Sequence, residues 1–150
     1  MRKILVLLAA VAVFTISVGA TPPTHVTGTF AVVTAAPTDT RTAGGNTFTT
    51  LERTASLSGT FTGTATDTVE VVMHANGATS VHGVGTCICT IEGVAGTFEY
   101  RFQASGTFPT DLSGQFVVGH GTDGLEGLHA QGTFAGSFFV AALDGRYHFN

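Results

Sequence analysis

Gly-Thr-Phe occurs five times in the chain, at Gly28-Thr29-Phe30, Gly59-Thr60-Phe61, Gly96-Thr97-Phe98, Gly106-Thr107-Phe108 and Gly132-Thr133-Phe134. No other feature constrains the fold as strongly. Glycine permits a turn or a close backbone approach. Threonine suits a pleated backbone, and phenylalanine delivers a large apolar side chain to one face. The units are too unevenly spaced for a solenoid or tandem array. They read instead as strands entering one shared interior.

Alternation elsewhere agrees. Between Phe48 and Phe61, Leu51, Ala55, Leu57 and Phe61 share one parity, while Glu52, Thr54, Ser56 and Ser58 take the other. Phe98, Tyr100, Phe102 and Ala104 alternate with Thr97, Glu99, Arg101 and Gln103. Period 2 over such lengths predicts strands. Further strands are predicted at Val26–Val33, Val69–His74, Val81–Ile91, Gly114–Val118, Leu128–Phe134, Ser137–Leu143 and Arg146–Phe149. Between them the sequence predicts a long polar loop over Ala35–Asn46 and a two-residue hairpin at Asn76-Gly77. It also predicts turns at Gly93–Gly96 and Asp144-Gly145 and a Gly-rich loop at Gly119–Gly127. Gly83 and Gly85 predict a bend or bulge. Past the N-terminal segment no long 3.6 period appears. The expectation is an all-β chain, a small antiparallel eight-stranded barrel whose closure removes sticky strand edges.

The first twenty residues read differently. Arg2 and Lys3 precede an apolar stretch from Ile4 to Val18, broken by Thr15 and Ser17, and Val18-Gly19-Ala20 follows. A basic start, a short apolar run and small residues form the pattern of a secretory signal peptide. A membrane span needs about 20 apolar residues. Residues 1–20 are therefore predicted to be a signal peptide cleaved near Ala20. Residues 21–150 would form a single β-barrel domain, secreted or periplasmic. Without the leader, four arginines face ten acidic residues, a formal charge of −6 with no lysine. That balance argues against a nucleic-acid surface and against docking on anionic lipid.

Four stretches carry a family resemblance: Thr27-Gly28-Thr29-Phe30, Ser58 through Ala65, Gly96-Thr97-Phe98 through Gly106, and Gly119-His120-Gly121-Thr122-Asp123-Gly124-Leu125-Glu126-Gly127-Leu128. Their order resembles a bacterial domain-of-unknown-function family within the allene-oxide-cyclase-like β-barrels. The resemblance implies an eight-stranded antiparallel barrel. It does not imply the cyclase reaction, because no motif here lines up with that enzyme's catalytic residues, and shared barrels host many functions. An exported member with two cysteines also departs from the usual intracellular pattern of the family.

Few residues invite chemistry. Arg53 stands on the apolar parity of its strand, as an inward charge at a barrel mouth, a bulge marker or an edge-protection device. If lumenal, it would orient a ligand carboxylate. Glu99 and Arg101 form a polar stripe with Gln103. The stripe is either a solvated outer face or a lumenal one, where Glu99 would act as acid or base. Arg53, Glu99 and Arg101 are the candidate ligand-binding residues. Cys87-Ile88-Cys89 admits two thiols, a strained or intermolecular disulfide, or a metal or redox site with His74 and His82. His82 has the wrong parity for that last reading, so no metal and no cofactor are expected. The six histidines are scattered. Nucleophile-elbow, phosphate-loop and dinucleotide motifs are absent. The sequence favours a non-catalytic secreted barrel that binds a small apolar ligand. The alternatives are an isomerase or cyclase acting on a lipid-like substrate, and a structural or assembly protein.

Overall fold

A computed structural model describes residues 21–150. The predicted signal peptide lies outside the described residues. Eight strands follow one another: β1 (Thr24–Ala43), β2 (Asn46–Gly59), β3 (Thr62–Met73), β4 (Thr79–Ile91), β5 (Val94–Thr107), β6 (Asp111–Asp123), β7 (Leu128–Gly136) and β8 (Val140–Phe149). Each pairs antiparallel with the next, and β8 returns to β1, so the sheet closes into a barrel. The all-β, eight-stranded expectation holds.

Parity sorts the side chains as the alternation requires. Leu51, Ala55 and Leu57 of β2 face inward, with Val69 and Val71 of β3, Val81 of β4 and Phe98 of β5. Phe61 and Phe98 pack at 5.3 Å in the lower core with Val26, Ile91, Leu125 and Leu128. Burying each such ring contributes about 2–3 kcal/mol. At the opposite end, Leu51, Val69, Val71, Val81, Leu112 and Phe138 form a second cluster.

Several boundaries differ from the sequence reading, each for a physical reason. Ala35–Asn46 is not a loop. It continues β1 and pairs with β2 up to Ala43↔Asn46 around a tight Gly44-Gly45 turn. This stretch hides because it is polar, contains Pro37 and pairs on one side only, the β8 ladder ending at Ala31. Irregularities at Val32/Thr34 and Pro37/Asp39 accompany the proline. Strand β3 starts at Thr62 rather than Val69, because its early inward positions are Gly63, Ala65 and Asp67, which give no apolar alternation. The Asn76-Gly77 turn exists but is wider than two residues: the His74 N–H donates to the Ala78 carbonyl, and Asn76 Oδ1 accepts from the Ala78 N–H. The next turn is Glu92-Gly93, with φ of 50° and 81°, so residues 94–96 already belong to β5. Two positive φ values in a two-residue loop match the twist of the flanking strands. Gly119–Asp123 extends β6, and Asp144-Gly145 sits inside β8 rather than turning the chain. Neither Gly83 nor Gly85 marks a bulge, since β4 keeps unbroken register with both neighbours.

Candidate functional site

One row of inward positions crosses four strands: Arg53 on β2, Asp67 on β3, Gly85 on β4 and Tyr100 on β5, each opposite the next. The pairing follows from a hairpin folded about Thr60, which sets opposite one another residues equally distant from it. Arg53 and Asp67 are each seven residues away. Their side chains are 5% and 1% exposed. The guanidinium grips the carboxylate with two bonds, Nε to Oδ1 at 2.9 Å and Nη2 to Oδ2 at 2.7 Å. A fork-on-fork pair of this kind satisfies both charges where water cannot.

Gly85 has a specific part in this. A Cβ there would lie 2.6 Å from Asp67 Cβ and 2.7 Å from Tyr100 Cζ. With no side chain in the way, Tyr100 reaches across β4 and donates its hydroxyl to Asp67 Oδ2 at 2.9 Å. Gly83 makes the same space for Phe102, its direct partner on β5. Burial above all raises the Tyr100 pKa well above the ordinary tyrosine value. The Asp67 charge and its hydrogen bond add to the rise, and Arg53 opposes it. Tyr100 is thus a fixed donor at neutral pH, and its proton is committed to Asp67.

Aromatic rings surround the outer face of the guanidinium. The centroids of Phe30, Phe102 and Phe138 lie 5.2, 5.3 and 4.8 Å from Arg53 Cζ. Rings at these distances attract a cation through their quadrupoles. Phe138 belongs to the β7–β8 loop, which folds over the barrel end. Its N–H donates to the Pro109 carbonyl at 2.8 Å, its ring packs on Phe108 at 5.0 Å, and its carbonyl accepts a long 3.4 Å bond from Arg53 Nη1. Below this plug lies an apolar cavity of about 70 Å³, lined by Phe30, Arg53, Leu57, Tyr100, Phe134, Leu143 and their neighbours. A site for one water needs at least about 10–15 Å³. The interior therefore keeps room for a group of several atoms.

Four of the five Gly-Thr-Phe phenylalanines, Phe30, Phe61, Phe98 and Phe134, line the cavity. Phe61 and Phe98 are buried in the lower core and also line the cavity from there. Phe30 and Phe134 are partly buried against that core and border the cavity. Phe108 supports the plug.

Of the three candidates read from the sequence, Arg53 alone reaches the lumen. Glu99 and Arg101 are exposed on the outer face, opposite Thr86 and Val84, and border a broad depression there. For the Glu99, Arg101 and Gln103 stripe the structure shows the solvated outer face rather than the lumenal alternative, because Phe98, Tyr100 and Phe102 take the inward parity of β5. Asp67 and Tyr100 were not singled out by sequence reasoning. The available signal was the matched distance of Arg53 and Asp67 from the Thr60 turn. Cys87 and Cys89 both point into the lower core, with Cα atoms 5.4 Å apart and their sulfurs bonded. Strand neighbours two residues apart share a face, and this separation is within bridging range. His82 points outward and is exposed. Among the described residues no three His, Cys, Asp or Glu side chains converge.

Fold and site together define a small closed antiparallel barrel with a buried Arg-Asp-Tyr network set against an aromatic cavity. A family model described as a protein of unknown function, DUF3224, matches residues 26–145. The chain belongs to the DUF3224 family. It is similar in structure to a DUF3224 protein of unknown function from Shewanella oneidensis MR-1, with a TM-score of 0.72 at 17% identity, covering 85% of this chain and 98% of that one. At that identity the likeness concerns the fold. No curated protein matches the chain. The domain-of-unknown-function family expected from the Gly-Thr motifs is thus established. The wider allene-oxide-cyclase-like grouping is not confirmed by these matches.

Proposed function

We propose that this protein is a secreted, non-catalytic barrel that takes a small, mainly apolar ligand into the cavity beside Arg53. The observation that carries the reading is the cavity itself: aromatic and aliphatic walls interrupted by a few polar groups, Arg53, Tyr100 and Ser137, the usual chemistry of small-molecule sites. Its modest volume suits a small ligand, or one that displaces the Phe138 plug. The polar network argues for binding over catalysis. Both Asp67 oxygens are engaged, and Tyr100 spends its proton on Asp67, so neither offers a free acid or base to a substrate. Export rests on the Arg2-Lys3 start and the short apolar run after it.

Mass spectrometry of the protein from its native culture fluid tests both parts. The expected result is a mature N-terminus near Thr21 and a retained apolar small molecule in organic extracts. A protein found only in cells, with residues 1–20 still attached, would refute export. Material that carries no such molecule and takes up none of a panel of small hydrocarbons and ketones would refute binding.

A further inference from the structure

Arg53 has more donors than its partners use. A guanidinium carries five N–H groups. One each goes to Asp67 Oδ1, Asp67 Oδ2 and the Phe138 carbonyl. The other two have no acceptor among the described residues, although the side chain is 5% exposed and borders the cavity. Buried donors without acceptors are costly, and here the faces of Phe30, Phe102 and Phe138 compensate only in part.

Charge fixes what would use them. Asp67 already neutralises Arg53 in the same dry site. A ligand carboxylate would sit beside the Asp67 carboxylate, and like charges in a buried site oppose one another. A cationic ligand would meet Arg53. A neutral acceptor meets neither penalty and gains a charge-assisted hydrogen bond.

We propose that the ligand is a neutral, largely apolar molecule bearing one carbonyl-type acceptor, held by the unused N–H groups of Arg53. The inference rests on the cavity reading above and assigns its ligand class. It also replaces the carboxylate that Arg53 would suit in isolation. With Nε–H, one Nη1–H and one Nη2–H already engaged, the groups left for such an acceptor are the second N–H of Nη1 and the second of Nη2.

Three small probes test this on the mature protein: cyclopentanone, its shape-matched alkene methylenecyclopentane, and cyclopentanecarboxylate. Each is titrated while the Arg53 guanidinium and lumenal methyl resonances are followed by NMR. The expected result is cyclopentanone binding roughly ten-fold tighter than the alkene, consistent with a net hydrogen bond to a charged donor, with saturable shifts of the Arg53 N–H signals. The carboxylate should bind weakest. Lumenal binding of the alkene as tight as that of the ketone would overturn the assigned class and leave the apolar cavity reading intact. Tightest binding by the carboxylate would overturn it too. Lumenal shifts from none of the three would sink both readings. Since the comparison is made on the unaltered chain, it does not depend on an Arg53 variant folding.

Discussion

At the scale of single residues, the barrel interior is organised by Arg53, Asp67 and Tyr100. Removing one member of a buried ion pair strands the other charge. Arg53→Met should therefore destabilise the protein by about 3–5 kcal/mol, and adding Asp67→Leu should recover much of that loss. Urea unfolding of the single and double variants checks this; additive losses would deny the pairing. Tyr100→Phe removes a hydrogen bond to a carboxylate, a loss of about 1.5–3 kcal/mol. Tyr100 also sets a pH dependence. Its folded pKa lies above its unfolded one, so the folded state holds a proton that the unfolded chain releases above about pH 10. Its contribution is complete below that pH and falls as pH rises beyond it. Stability measured from pH 8 upward should decline past pH 10, and less steeply in Tyr100→Phe. Equal slopes in both proteins would show that Tyr100 is not the titrating group.

At the scale of elements, β4 and the β1–β2 hairpin make opposite demands. In β4 the inward face must be bare where Tyr100 and Phe102 cross it. Gly85→Ala forces a methyl against Tyr100 and Asp67 and should cost about 1–3 kcal/mol as overpacking, a change visible as a lower melting temperature. The hairpin extends beyond the β8 ladder, and residues of β1 past Ala31 pair with β2 alone. Pro37 and the adjacent irregularities blunt this open edge against pairing with other chains. Amide exchange from residues 34–43 should thus be faster than from β3 to β5, since few buried side chains hold that stretch; equal protection would contradict this reading. The same elements explain what the sequence disclosed. Where inward positions carried Leu, Val or Phe, as in β2 and β5, parity revealed strand and face together. Where they carried Gly63, Ala65 and Asp67, or where Pro37 interrupted a polar run, the ladder hydrogen bonds that define the strand left no mark in side-chain polarity. Arg53 was legible as an inward charge. Its partner was not, because finding Asp67 requires the register of the Thr60 hairpin, and finding Tyr100 requires seeing that Gly85 lies between them.

For the whole molecule, closure and filling govern function. Eight strands enclose an interior that side chains nearly fill. Phe61, Phe98 and Leu125 close the lower end, and Phe108 and Phe138 close the upper one. Between them lies the cavity beside Arg53, which the strand-entry phenylalanines Phe30, Phe61, Phe98 and Phe134 border without filling. That this space binds a small apolar molecule is tested most directly by NMR titration of the protein with cyclopentanone. Binding there gives saturable, one-to-one shifts concentrated at Phe30, Leu57, Phe134, Leu143 and the Arg53 guanidinium. Shifts confined to the outer face around Glu99 and Arg101, or no saturable shift, would contradict it.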